Sequence, residues 1–186
     1  TTEIYPLSLH DALPIYGAPP VGPDLLRAAD VHIFRDDAGG AATVARDLAD
    51  AYRLAGREPD NASLLFKWLQ PDVPEALRTG LDPARIRAAG EQIGTIAARL
   101  PRLRLRRDDA AQVRDEFVQA ARLMRLGAER GAVLCEGRPD ADARAAIAPG
   151  LRAAADEHRR LWLLRNRPGG LRDSVARMET LLPGIP

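Results

Sequence analysis

The chain has 186 residues, of which 46% are hydrophobic and 28% charged, and this is the composition of a globular protein rather than a disordered one. Its formal net charge is only +1, which argues against a nucleic-acid-binding protein, so no nucleic-acid partner is expected. No charge-free apolar stretch approaches the roughly 18 residues of a transmembrane helix, so no membrane partner is expected either. Cys135 is the only cysteine, which excludes an internal disulfide and a cysteine-based zinc site.

The first fifteen residues differ in character from the rest of the chain. Residues 3–15, Glu-Ile-Tyr-Pro-Leu-Ser-Leu-His-Asp-Ala-Leu-Pro-Ile, resemble the conceptual translation of a common short-read sequencing adapter, and only Pro6 departs from it. The segment has neither the basic region nor the apolar region of a signal peptide. We therefore interpret residues 1–15 as an artefact, exclude His10 and Asp11 from chemistry, and expect the natural chain to extend upstream of Tyr16.

Three further divisions of the chain follow from its composition. Residues 16–23, Tyr-Gly-Ala-Pro-Pro-Val-Gly-Pro, are a cluster of helix breakers and predict a linker. From residue 24 to residue 182 the apolar residues recur mainly with a helical period, which predicts one helical domain (24–182). Residues 183–186 are then a short C-terminal tail.

The first half of this domain contains clear helix signals. An apolar stripe over residues 41–55 predicts a helix that Gly56 ends. Asn61 is predicted to be the N-cap of a short helix. Asp82-Pro83 places a capping residue before a proline at the first helical position, and this predicts a longer helix that Pro101 interrupts.

The second half is predicted to be helical as well. Asp108 and Asp109 are expected to cap a helix that carries small residues such as Gly127, which let a neighbouring helix approach closely. After a turn at 137–140, a further helix is predicted to reach about Asn166, with a break or a fresh start near Pro149.

The end of the domain completes the predicted fold. Gly169 or Gly170 is expected to end the long helix in the left-handed conformation, and a last short helix is predicted over residues 171–182. Residues 31–34 are the only strand candidate. The predicted fold class is therefore all-α, a bundle of about six or seven helices with short loops.

Pairs of adjacent carboxylates are the first candidates for chemistry, because glycoside hydrolysis uses two carboxyl groups. Adjacent residues on a helix point about 100° apart, and arginines at helical spacing favour solvated ion pairs, as between Glu157 and Arg160. No catalytic residue is predicted. The pairs are Asp36-Asp37, Asp108-Asp109, Asp115-Glu116 and Asp156-Glu157.

The histidines, the cysteine and a basic run offer no stronger site. His32 and His158 lack a His or Cys partner at helical spacing, so neither a metal nor a cofactor is predicted, and His158 is expected to pack beside Trp162. Cys135 is interpreted as a structural thiol. The arginine-rich run 102–107 lacks aromatic residues, which favours a solvated loop or an inter-domain contact over a phosphate site.

The segment from Glu157 to Ser174 is the richest in residue types that form interfaces. Two interpretations stay open: a well-made helix end, with basic side chains at the negative end of the helix dipole, or an anchor for another domain. The interface candidates are Glu157, Trp162, Arg165, Asn166 and Arg167.

The same segment carries a family resemblance. Its Leu-Trp-Leu-x-Arg-Asn-Arg-Pro-Gly-Gly-Leu string, together with residues 45–54, residues 61–66 and the helix around Phe117, resembles the helical region that follows the catalytic barrel in bacterial glycoside hydrolase family 20, the β-N-acetylhexosaminidases. The resemblance covers most of residues 24–182.

The resemblance implies a catalytic (β/α)8 barrel upstream of this region. In that family an adjacent Asp and Glu lie in a His-x-Gly-Gly-Asp-Glu context, and the substrate's own acetamido group is the nucleophile. This chain lacks that motif, so no catalytic residue is carried over. The resemblance implies a non-catalytic C-terminal helical domain that supports the missing N-terminal barrel or mediates homodimerisation, and we expect the cytoplasm as its compartment.

Two alternatives to this function stay open. One is a stand-alone helical binding or regulatory module, and the other is a self-contained hydrolase. A large exposed apolar patch would favour the hydrolase domain, a strongly basic face would favour the regulatory module, and a closed pocket lined by carboxylates would favour the self-contained enzyme.

Overall fold

A computed structural model describes residues 22–57 and 62–182. Residues 1–15, interpreted as an artefact, most of the predicted linker 16–23 and the tail 183–186 lie outside the described residues. The described ranges contain seven α-helices and no strand beyond one isolated bridge, so the predicted all-α bundle is confirmed. The helices are α1 (Pro23–Ala29), α2 (Ala41–Asp50), α3 (Leu64–Lys67), α4 (Pro83–Ala97), α5 (Ala110–Cys135), α6 (Asp140–Arg165) and α7 (Leu171–Glu179).

Helix α5 is the central element of the bundle. Helices α4 and α6 both pack along it, and the short helix α3 contacts it. The packing is antiparallel, because Arg87 near the start of α4 pairs with Glu136 just after α5, and Arg165 at the end of α6 pairs with Glu116 near the start of α5. Helix α7 then folds back onto α6.

The buried apolar residues form two clusters. The larger one lies between α2, α3, α4 and α5 and includes Trp68 and Ile93, both of which are fully buried. The smaller one joins α6 to the end of the chain and includes Ile147, Leu151 and Leu181. Leu69 and Met178 are partly buried against this smaller cluster.

Small residues on α5 set how closely its neighbours approach, as predicted. A Cβ atom at Gly127 would lie 2.2 Å from the backbone oxygen of Leu65, and one at Gly131 would lie 2.3 Å from the Trp68 ring. Neither position has room for a side chain. The two glycines therefore let α3 and the turn after it lie directly against α5.

The helix starts agree only in part with the predicted caps. Asp82 caps α4, since its Oδ1 accepts a hydrogen bond from the Ala84 N–H at 2.9 Å. Helix α3 is capped by Ser63, whereas the predicted cap Asn61 lies outside the described residues. Asp109 is the N-cap residue of α5, but its carboxylate accepts no capping bond because Arg107 holds it.

The strand candidate 31–34 forms part of a π-helical turn, Asp30–Phe34. Two predictions about where α6 breaks or ends are wrong. Helix α6 continues through Pro149, which is exposed, as is Ala145, the residue whose carbonyl loses its helical partner. Gly170 is left-handed with φ 81°, but it precedes α7, and α6 instead ends with Asn166 in an extended conformation.

The predicted linker is also shorter than expected at its C-terminal end. Gly22 is the N-cap of α1 and Pro23 is its first residue, where a proline loses no helical hydrogen bond.

Within the two described ranges, no helix combines the length and the apolar character that crossing a membrane requires.

Candidate interface at the end of α6

The end of α6 is joined to the start of α5 by arginine–carboxylate pairs. Arg165 donates to Glu116 through its Nη2 at 2.9 Å and approaches Asp109 at 3.1 Å. Arg160, one and a half turns earlier, donates to Glu157 at 2.6 Å and also pairs with Asp115. These pairs exist because antiparallel packing places the acidic first turns of α5 beside the basic last turns of α6.

The charges in this cluster stabilise one another. Hydrogen bonds from Arg107 and then Arg165 lower the pKa of Asp109 to about 2. A hydrogen bond from Arg160 lowers the pKa of Glu157, and the carboxylate partners in turn raise the pKa of Arg160 and Arg165. These carboxyl groups therefore stay ionised at neutral pH, which is the opposite of what a general acid needs.

Trp162 joins α6 to α7 through the turn between them. Its indole N–H donates to the carbonyl of Arg167 at 2.9 Å, and its ring lies 5.7 Å from the His158 ring, which confirms that predicted contact. Gly170 lies beside the same ring, since a Cβ there would be 3.5 Å from it. His158 contacts Ser174 of α7 at 2.9 Å, so the turn is held on both sides.

The five predicted interface residues are therefore divided between two roles. Glu157, Trp162 and Arg165 make contacts within the chain. Asn166 and Arg167 are exposed, and their side chains make no hydrogen bond or ion pair within the described part of the chain. Their role in binding another domain stays a prediction.

Two exposed leucines beside them are not among the predicted interface residues. Leu163 and Leu164 are 53% and 54% exposed, while Leu161 is buried. The signal was present in the run of four apolar residues 161–164. Because successive helical residues turn by about 100°, four of them cannot all face the core.

A second pair of exposed apolar side chains lies on the π-helical turn. Val31 and Ile33 of this turn are 57% and 58% exposed. Arg107 joins the turn to the end of α6 that carries the leucines, since it donates to the Ile33 carbonyl at 2.6 Å and to Asp109 at 2.7 Å, and Asp109 contacts Arg165. We name Val31, Ile33, Leu163 and Leu164 the apolar end.

The arginine-rich run 102–107 alternates between buried and exposed residues. Leu103 and Leu105 are buried, while Arg104 and Arg106 are exposed, as in a half-buried extended segment. Leu105 forms an isolated antiparallel bridge with Asp36. The run therefore packs against the turn before α2 and is more ordered than the predicted solvated loop.

The remaining carboxylate pairs are also engaged. A groove of about 470 Å³ is lined by Asp30, Asp36 and Asp37. Asp30 and Asp36 accept backbone hydrogen bonds from the first turn of α2 at 2.7 Å and 3.1 Å, and Asp37 pairs with Arg106. These carboxylates fix the start of α2.

The other carboxylates of the adjacent pairs have the following partners. Asp156 pairs with Arg159, three residues later on the same helix, at 2.7 Å. Glu116 pairs with Arg165 of another helix, and not with an arginine of its own helix. Among the described residues, no His, Cys, Asp and Glu side chains are grouped in a way that could hold a metal ion.

Cys135 lies at the end of α5 and is partly buried. Burial raises the pKa of its thiol, although Arg57 acts in the opposite direction. A raised pKa makes the thiolate scarce at neutral pH, which agrees with the structural role predicted for it.

Comparisons of the chain with protein-family models, with curated proteins and with solved structures gave no match.

Proposed function

We propose that this chain is the non-catalytic helical domain of a β-N-acetylhexosaminidase-like glycoside hydrolase, and that its apolar end packs against the catalytic barrel of the same protein. The sequence resemblance suggests the family. The observation that carries the docking role is the pair of exposed apolar groups at the apolar end.

The apolar end has properties that suit a docking surface. Each of its four side chains is more than half exposed, although water disfavours large apolar side chains. Contacts through Arg107 and Asp109 join the two elements that carry these side chains, the π-helical turn and the end of α6. A preordered surface loses little conformational freedom when a partner covers it.

The state of the carboxyl groups supports a non-catalytic role. Besides Asp109 and Glu157, the pKa of Asp140 is lowered, because hydrogen bonds from Arg130 and Arg144 outweigh the effect of burial. The same holds for Asp47 with Arg46 and Arg99. The acid that a hexosaminidase requires would then come from the barrel.

The first experiment is to sequence the source DNA upstream of the Tyr16 codon. The proposal expects an open reading frame of barrel length that encodes Gly-Gly-Asp-Glu. A start codon within a few residues of Tyr16 would overturn the family assignment. The extended protein should then cleave p-nitrophenyl N-acetyl-β-glucosaminide, whereas the chain described here should not.

The second experiment tests the docking surface itself. In the extended protein, Ile33→Ser with Leu164→Ser should lower the melting temperature and the hexosaminidase activity. In the present chain alone, the same pair should change the free energy of unfolding by only about 0.5 kcal/mol, because both side chains are already exposed. Leu54→Ser, at another exposed leucine, is the matched control and should affect neither protein.

Other outcomes would assign the surface differently. Equal effects of the double substitution and of Leu54→Ser in the extended protein would overturn the docking role. A shift from dimer to monomer in the present chain, measured by analytical ultracentrifugation, would assign the apolar end to a homodimer instead.

A stand-alone binding module is the second candidate function. The observation that favours it is an apolar groove between α3, α5 and α7, away from the apolar end. A start codon close to Tyr16 would make this the leading candidate.

A further inference from the structure

The two apolar clusters of the core do not merge completely. A groove of about 330 Å³ lies between them, bounded by α3, α5 and α7. Met124 packs against the larger cluster, whereas Leu123 and Met178 pack against the smaller one. Leu65 and the exposed Phe66 of α3 line the opposite side. We name this cavity the methionine groove.

The methionine groove has an apolar lining and one cation. Its polar lining residues are two serines, Gln70 and Arg177, and none of its lining residues is acidic. The serine hydroxyls are engaged, since Ser63 accepts from the Phe66 N–H and Ser174 contacts His158. The guanidinium of Arg177 makes no hydrogen bond or ion pair within the described residues. Its charge is therefore available to a ligand.

We propose that the methionine groove binds a medium-chain monocarboxylate, with the alkyl chain along the apolar walls and the carboxylate on Arg177. An apolar lining favours an alkyl chain and offers too few polar partners for a sugar. An unpaired arginine with no acidic neighbour in the groove favours an anion. The unbranched side chains of Met124 and Met178 adapt easily to a flexible chain.

The volume of the groove agrees with this class of ligand. Small-molecule sites typically measure about 300–1,000 Å³, and the groove lies at the lower end of that range. The groove is separate from the apolar end, so this inference does not depend on the hydrolase assignment.

The two methionines of the chain make a direct test possible. Met124 and Met178 are its only methionines, and both line the groove. Protein labelled with ¹³C at the methionine methyl groups should show both resonances shifting saturably when decanoate is added below its micellar concentration. Substitution of each methionine by leucine in turn assigns the two signals.

Three variants separate the features of the proposed site. Arg177→Gln should weaken decanoate binding about threefold to tenfold, because it removes one partly solvated charge pair, and should leave decanol binding unchanged. Arg172→Gln, on the same helix but outside the groove, should have no effect. Ala120→Leu, at an exposed position of α5 that lines the groove, should weaken both ligands.

Several outcomes would overturn the proposal. The first is the absence of any methyl shift with decanoate. The second is equal decanoate affinity in the Arg177→Gln variant and the unchanged chain. The third is methyl shifts that depend on protein concentration without ligand, which would mean self-association. Shifts with phosphatidylcholine vesicles but not with decanoate would mean membrane-borne chains instead of a free acid.

Discussion

Arg130 lies in the middle of the interior, on the last turns of α5, and is 0% exposed. Its Nη1 donates to the carbonyls of Trp68 and Gln70, both at 2.7 Å, and its Nη2 donates to Asp140 at 2.7 Å. Burial lowers the pKa of this arginine, and the hydrogen bond to Asp140 opposes that shift. One side chain thus donates hydrogen bonds both to two carbonyls just after α3 and to a carboxylate at the start of α6.

We expect Arg130→Met to destabilise the chain by about 3–5 kcal/mol, because it leaves the buried Trp68 carbonyl and the partly buried Gln70 carbonyl without a donor and removes one of the two arginine partners of Asp140. Urea unfolding followed by circular dichroism would measure the loss. Arg138→Met removes an exposed i,i+4 pair with Asp142 and should change stability very little. A loss below about 1 kcal/mol for Arg130→Met would contradict the prediction.

Asp140 makes stability depend on pH. Its pKa is lowered in the folded chain, so the folded state binds fewer protons than the unfolded state around the ordinary Asp pKa of about 3.9. Its contribution is present above that pKa and is lost as pH falls through the lower folded value. We expect the urea concentration at the unfolding midpoint to decrease as the pH is lowered below about 4. This decrease should be less steep in the Asp140→Asn variant. Parallel curves for the two proteins would contradict this.

Helix α5 can be central because some of its positions carry no side chain. Gly127→Ala should lower the free energy of unfolding by about 1–3 kcal/mol, since the new Cβ would overlap the Leu65 backbone. Gly94→Ala, on α4, is the matched control. Its Cβ would lie 3.8 Å from Arg125, so the better helix propensity of alanine should raise stability by up to about 1 kcal/mol. If thermal unfolding showed stability changes of the same sign in the two variants, the packing explanation would be contradicted.

The helix boundaries followed local chemistry where no distant partner competed. Asp82 caps α4 as its Asp-Pro sequence predicts. Asp109 lies at the start of α5 as predicted, yet its carboxylate binds Arg107 and Arg165 instead of the helix N–H groups. Both kinds of bond use the carboxylate charge, but the arginines are themselves cations and Arg107 donates two parallel hydrogen bonds, which favours them over a single backbone N–H.

Arg144 connects parts of the chain that lie far apart in sequence. It donates to Asp140 at 2.7 Å, to the carbonyl of Thr180 at 2.7 Å and to the carbonyl of Pro71 at 3.1 Å. This side chain of α6 therefore links the turn after α7 to the loop after α3.

We expect Arg144→Met to loosen these two regions without unfolding the chain. Amide hydrogen exchange should become faster in α7 and near Pro71, and should stay unchanged in α4, which Arg144 does not contact. Uniformly faster exchange would mean global destabilisation and would contradict the local role.

The candidate interface was only partly predictable. The segment 157–174 could be identified from its Trp and Arg content, and the contact of His158 with Trp162 followed from helical spacing. The partners of Arg160 and Arg165 on α5 could not be predicted, because they depend on which helix packs alongside. The turn that carries Ile33 is joined to the end of α6 through Arg107, which lies 74 residues from Ile33 along the chain, and Asp109.

The sequence by itself determined the helical class, most of the helix bounds and the positions on α5 where a neighbour can approach closely. These features follow from helical periodicity, capping residues and glycines, which act over a few neighbouring residues. The tertiary structure alone decided that Arg130 is buried, that Pro149 is accommodated within α6, and that two apolar clusters leave a groove between them. These outcomes depend on contacts between distant parts of the chain, whose free energies local sequence patterns do not encode.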